Sequence, residues 1–256
     1  MQAGNNRIEK TLAGFALLAL VQPAQAAFFD CTTTPGLCVA EGDTVIFQYV
    51  DNQPEMAAYG TLEVIGDTVF SNPTGFRAES NDGVGVHSGT PTDSSWAVGT
   101  VQVIAKPGYK FTGFQVGEIG DYRMKGTDVA VDVDGWFRVA EYGGLAGIDP
   151  SITTDLTITG DLSIVDNDVH EWQGSASIDV TSPIWDGVDH IGMTLQNNLS
   201  AYSLNDGDSA WIQKKGVGTR INMKVETTTV VPVPAAVWLF GSGLLGLVGI
   251  ARRRAG

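Results

Sequence analysis

Histidine is nearly absent from this 256-residue chain, which holds only His87, His170 and His190. A histidine triad or metal centre needs such residues to converge with Asp or Ser partners. No signature of that kind surrounds any of the three. Gly85-Val-His-Ser-Gly89 comes nearest, but Ser88 stands one place too late for a nucleophile elbow. Cysteine is as scarce. Cys31 and Cys38 are too few for a zinc site without further ligands nearby, and no metal site is expected. Basic residues number 15 against 29 acids, for a formal charge of -14. Such a field repels a nucleic-acid backbone, so no nucleic-acid partner is expected. Between the ends no helical periodicity alternates with strands, which excludes βαβ units and a doubly wound sheet. Apolar runs longer than a strand occur at the two ends, over 12–21 and 235–251.

Both runs read as targeting segments. Arg7 and Lys10 form a basic lead, Leu12 to Val21 is apolar but too short to span, and Ala24-Gln25-Ala26 is a small-x-small cleavage site. Residues 1–26 are therefore expected to be a secretory signal peptide, with Ala27 the mature N-terminus. At the other end Val231-Pro232-Val233-Pro234 leads into an uncharged run from Ala235 to Ala251, followed by Arg252, Arg253 and Arg254. Seventeen residues make a helix of ~25 Å, at the short edge of a bilayer span. The arginines stay cytoplasmic by the positive-inside rule. Residues 230–256 thus read as a tail with one transmembrane helix over 235–251 and a basic end at 252–254. Basic flanks on both apolar runs place the body outside the inner membrane.

The tail resembles the PEP-CTERM protein-sorting signal in its VPLPA-CTERM variant. The matching residues are Val231, Pro232, Pro234, Ala235, the helix to Ala251 and the three arginines, about a tenth of the chain. Val233 stands where the parent motif has Glu, as apolar residues do in the variant. The resemblance implies recognition by exosortase, a membrane-embedded cysteine transpeptidase of Gram-negative bacteria that make exopolysaccharide. It further implies cleavage near the prolines, after a transient stay in the inner membrane. A plain C-terminal anchor is the competing reading.

The body, 27–229, has room for one large all-β domain or two small ones. One acid and five bases lie in the two ends, which leaves it 28 acids against 10 bases, a formal charge of −18. Solubility explains that acidity. Divalent cations, and through them an anionic polysaccharide, are the sharper alternative. In an oxidising compartment Cys31 and Cys38 are expected to pair. Closing a loop of about eight residues contributes roughly 2.5 kcal/mol on the chain-entropy estimate.

Short β-branched and aromatic runs recur about every ten residues, separated by Gly, Asp and Asn. They predict an antiparallel β-sandwich, jelly-roll or immunoglobulin-like. Gly66-Asp67, Asp134-Gly135 and Gly160-Asp161 are expected hairpin turns. The small-residue stretch Val84 to Ser95 is a weak seam, a linker between two domains or one exposed loop in a single sandwich, and one sandwich is the preferred reading.

Candidate chemistry is thin. Glycoside hydrolysis needs two carboxyls about 5–10 Å apart across a cleft; Glu118, Glu141 and Glu171 are candidates, and nothing selects among them. Asp132-Val-Asp-Gly135, Asp166-Asn-Asp168 and Asn205-Asp-Gly-Asp208 fall short of a full calcium loop. No cofactor is expected, with weakly bound calcium left open at these loops. Trp96, Trp136 and Trp211 head apolar segments and read as core. Trp172 and Trp185 stand in polar stretches and are the expected exposed rings, able to stack on sugars. The resulting expectation is an exported, non-enzymatic surface or matrix protein, with a carbohydrate-binding module and a secreted glycoside hydrolase as alternatives. Its expected partners are the exosortase-type enzyme and an exopolysaccharide. Replacing Arg252, Arg253 and Arg254 with neutral residues should impair surface delivery, scored by fractionation. Undiminished delivery would show that the tail is not read as a sorting signal.

Overall fold

The computed structural model describes residues 26–52, 59–73, 76–83, 87–88, 100–143, 150–215 and 221–230. Ala24, the sorting motif Val231 to Ala235, the arginines Arg252 to Arg254, Trp96 and most of the Val84 to Ser95 seam lie outside these residues. Among the described residues no helix is long and apolar enough to cross a membrane.

The chain is all-β, with two antiparallel sheets. Nine strands form the first: β1 (Ala27–Phe28), β4 (Thr61–Ile65), β5 (Thr68–Asn72), β6 (Arg77–Asn81), β9 (Tyr109–Lys125), β12 (Thr157–Thr159), β13 (His170–Asp179), β15 (Ser209–Lys214) and β16 (Ile221–Thr229). Seven form the second: β2 (Leu37–Glu41), β3 (Val45–Val50), β7 (His87–Ser88), β8 (Thr100–Ala105), β10 (Val129–Glu141), β11 (Ser151–Asp155) and β14 (His190–Ser203). The 17-residue β9 organises its sheet: β13 lies along one side, and β16 and β15 follow one another along the other. In the second sheet β14 pairs with β10 along 13 residues.

Alternation of burial along the long strands shows which face turns inward. On β14 the inward row is Ile191, Met193, Leu195, Asn197, Leu199, Ala201 and Ser203. Inward rows of both sheets meet in two hydrophobic clusters. The larger one includes Phe47, Val103, Phe137 and Ile191 against Val64, Phe114 and Val225. The smaller one gathers Phe76, Tyr122, Met124, Trp172, Leu199 and Ile212. Two sheets closing on shared cores are consistent with the expected sandwich.

Cys31 and Cys38 are joined by a disulfide, and Cys38 is fully buried on β2. The bond closes the turn-rich segment that precedes the strand. The Gly66-Asp67 hairpin is also present, with Gly66 at φ 58° and Ile65 paired to Thr68.

Two expected hairpins are not. β10 runs straight through Asp134-Gly135 and pairs with β14 on either side of it. Gly135 is needed for space, since a Cβ there would sit 2.3 Å from the Gln196 carbonyl and 2.9 Å from Asn197 Oδ1. Close approach of a partner, not a turn, explains this glycine. Gly160-Asp161 does turn the chain, but no strand follows it, and β12 pairs with β13 instead. The Asp161 carboxylate accepts from the Ser163 backbone N–H at 2.9 Å, which caps a loop and leaves Leu162 to Val165 without a ladder.

Two of the tight turns by which the chain crosses between sheets, β9–β10 and β14–β15, converge on Asp208. Its carboxylate accepts from the backbone N–H of Thr127 at 3.2 Å, Asp128 at 3.4 Å and Asn205 at 3.2 Å. The Asn205 amide donates to it at 3.0 Å, and the Asp208 carbonyl accepts from the Asp82 N–H at 2.9 Å. Burial raises the acid's pKa, but these bonds outweigh it and hold the carboxyl below its ordinary value. Within Asn205-Asp-Gly-Asp208 the Asp208 carboxylate is thus engaged by backbone and side-chain amides. Asp208→Ala should lower Tm by on the order of 5 °C with the β spectrum retained, and Asp208→Asn should fall between it and wild type. Thermal melts followed by circular dichroism test this; an unchanged Tm would remove Asp208 from its role.

Candidate functional site

Three of the inward rows are interrupted by a polar residue at the same depth in the molecule. On β9 the inward row is Phe114, Val116, Glu118, Gly120, Tyr122 and Met124. On β15 it is Ala210, Ile212 and Lys214. On β14 Asn197 stands between Leu195 and Leu199. Glu118 and Gly135 lie nine and eight residues on either side of Thr127, in the first crossing turn. Asn197 and Lys214 lie nine and eight residues on either side of Asp206, in the second. Gly135 pairs with Asn197, and Lys214 pairs with Gly120. Pairing and turn geometry therefore bring Glu118, Lys214 and Asn197 into one layer of the core.

The side chains of Lys214 and Glu118 are wholly inaccessible to solvent, and the Lys214 ammonium donates to Glu118 Oε2. The amine also lies 4.8 Å from the centre of the Phe76 ring, a cation–π contact. Glu118 Oε1 has no hydrogen-bond partner. Gly174, opposite Glu118 on β13, leaves space for that carboxyl. Burial pushes the Lys214 ammonium down to about 8, while the Glu118 charge opposes it.

Asn197 is buried on the facing sheet, and neither of its amide atoms makes a hydrogen bond. It stands beside the Tyr59 hydroxyl, which donates to the Leu195 carbonyl at 2.6 Å. Burial raises the Tyr59 pKa, and the Glu118 charge adds to the rise. An amine, a carboxyl, a carboxamide and a phenol thus share a water-excluded space between the sheets. Nothing in the sequence analysis singled out Lys214, Asn197 or Tyr59, and Glu118 entered it only as one of three uninformative glutamates.

The glutamates do not converge. Glu118 faces inward, whereas Glu171 on the neighbouring β13 is exposed on the outer face and pairs with Lys215. Glu141 ends β10 in the other sheet.

Trp172 and Trp185 are not the exposed rings expected. Trp172 is fully buried, and its ring covers Gly120, where a Cβ would lie 2.2 Å away. Trp185 closes a short 3-10 turn (Pro183–Trp185) and packs in the larger cluster at 7% exposure. The reason in both cases is strand or turn parity, which overrides the polarity of the flanking residues. Trp136, read as core, sits on an outer face, and Trp211, also read as core, is buried at 9% exposure although it faces away from Ala210 and Ile212. Trp136 is half-buried, and Trp211 is covered by the Arg77 guanidinium at 4.4 Å.

The acidic loops use their carboxylates internally. Asp166 accepts from the Asp168 N–H at 2.8 Å and bonds His170 at 2.9 Å. Asp134 accepts from the Asn198 amide at 3.4 Å. His190, on β14, bonds Gln102 at 3.1 Å and stacks on Tyr142 with centroids 4.5 Å apart. His170 and His190 lie in different sheets, and His87 is on β7.

No family model matches this chain. No curated protein matches it either. Among solved structures it is similar, at 9% identity, to the structure of infectious bursal disease virus Gt strain, with TM-score 0.20, covering 97% of this chain and 70% of the other. The Gx strain structure gives TM-score 0.18 at 9% identity, with 96% and 70% covered. Scores this low carry no argument about fold or function.

Burial holds the His190 pKa below its usual value, with Asp189 opposing. The unfolded chain therefore takes up this proton first as pH falls through about 6.5. Stability should decline as pH falls through about 6.5 toward the lowered folded-state value, and His190→Gln should flatten that decline. Denaturant melts of both proteins across the range check this. Parallel pH profiles would show that His190 is not the group responsible.

Proposed function

We propose that this chain is an exported, non-enzymatic surface or extracellular-matrix protein with a β-sandwich body, sorted and cleaved by an exosortase-type transpeptidase and associated with exopolysaccharide. The observation that carries the reading is the ordered tail: Val231 to Pro234, the apolar run 235–251, then Arg252 to Arg254. The leader with its Ala24-Gln25-Ala26 site supports export. So does the Cys31–Cys38 disulfide, which persists in oxidising compartments. An acidic body would stay soluble outside the cell and meet anionic polysaccharide through divalent cations.

The carbohydrate-binding alternative loses its platform, because Trp172 and Trp185 are both buried. The hydrolase alternative lacks a shared face for Glu118 and Glu171, which point to opposite sides of their sheet. Intact mass of the protein from culture medium and from cell envelope tests the proposal. The processed form should begin near Ala27 and end near Pro232 to Pro234. Recovery of Arg252 to Arg254 in the correctly localised protein would overturn it.

A further inference from the structure

We propose that Lys214 and Asn197 become joined by an intramolecular amide bond that staples the two sheets together, with Glu118 as the proton carrier. Three observations meet here. Lys214 and Glu118 are sealed from solvent in direct contact. Asn197 is buried on the facing sheet beside Tyr59, which also feels the Glu118 charge, and both its amide atoms are unpartnered. Phe76 on one side and the two hydrophobic clusters above and below exclude water from the layer.

The chemistry balances without an added reagent. Glu118 takes a proton from the Lys214 ammonium and leaves a neutral amine, a competent nucleophile. Burial favours that transfer by lowering the amine's affinity for its proton. The amine nitrogen adds to Asn197 Cγ. Glu118 passes its proton to the carboxamide nitrogen as the Cγ–N bond breaks. The second amine proton returns to Glu118, ammonia departs, and an amide joins Lys214 Nζ to Asn197 Cγ. Ammonia leaves neutral and takes its proton from water, while Glu118 keeps the second amine proton as an uncharged acid, so no unpaired charge stays in the core.

Two physical pressures favour the product. Fixed reactants in a dry site react as if at very high concentration. The product also replaces a buried charged amine and an unpartnered carboxamide, both costly, by one neutral amide. A covalent bridge suits a body exposed to an uncontrolled medium, but the inference stands on the core alone and does not require the export proposal.

Intact mass of the folded full-length chain, referred to its measured termini, should be lower by one ammonia beyond the disulfide's two hydrogens. Digestion should yield a branched peptide joining the strands that carry Asn197 and Lys214, with trypsin no longer cutting after Lys214. Glu118→Gln, Asn197→Ala and Lys214→Met should each abolish the loss. The wild-type mass decides even where a variant fails to fold. An unreduced mass with tryptic cleavage after Lys214 overturns the proposal. So does loss of ammonia with no branched peptide, which marks a cyclised asparagine, or loss of water with Lys214 linked to Glu118.

Discussion

The Asp208 carboxylate accepts backbone N–H groups from two of the turns that carry the chain from one sheet to the other, β9–β10 and β14–β15. That shared acceptor fixes the two crossings relative to each other. Once they are fixed, pairing along β9, β10, β14 and β15 sets the depth of every inward side chain. Asn197 falls opposite Gly135 and Lys214 opposite Gly120 because each is counted from the same end of the molecule. The polar layer in the core therefore follows from the turn cluster. A change of one residue in either turn would reverse the parity of a whole strand.

A buried ion pair is an expensive way to fill a core. Desolvating an amine and a carboxylate costs several kcal/mol per ion unless geometry and further hydrogen bonds return it. Here the return is incomplete, since Glu118 Oε1 and both Asn197 amide atoms lack partners. The layer also interrupts what would otherwise be one continuous apolar interior. Leucines of similar volume would hold the sheets together at lower cost. Groups kept in place at such a cost call for a use, and the covalent bridge supplies one that also removes the cost.

Much of the fold was legible in the sequence. The strand runs, the all-β class, the Gly66-Asp67 hairpin and the disulfide followed from local chemistry. What failed was any inference that needed to know what lies across the sheet. Asp134-Gly135 carries a strong turn signal, yet Gly135 is dictated by Asn197, more than sixty residues away in the chain. Trp172 looked exposed because its neighbours are polar, but alternation along β13 turns it inward while Glu171 and Gln173 face solvent. The core layer did leave a trace. Asn197 and Lys214 occupy the apolar parity of their strands, between Leu195 and Leu199 and after Ala210 and Ile212. Glu118 does the same between Val116 and Tyr122. A polar residue in the wrong phase of an alternating strand is the signal that could have found all three.

The excess of acid has a structural use that net charge alone hides. Asp30, Asp161, Asp166 and Asp179 each accept the backbone N–H two residues on. At Asp30, Asp161 and Asp179 the partner is a Thr or Ser whose hydroxyl bonds the same oxygen. In all four, side-chain hydrogen bonds are the largest cause of a lowered pKa. These carboxylates hold loops closed where a β protein has no helix dipoles or caps to do so. Because their pKa values are lowered, the support is complete above the ordinary carboxylate range and is lost as pH falls through the depressed values. The same carboxylates give the body the charge that keeps it soluble. Turn chemistry and solubility are thus met by one residue type, and a cation is not needed to explain why aspartate is abundant at these turns.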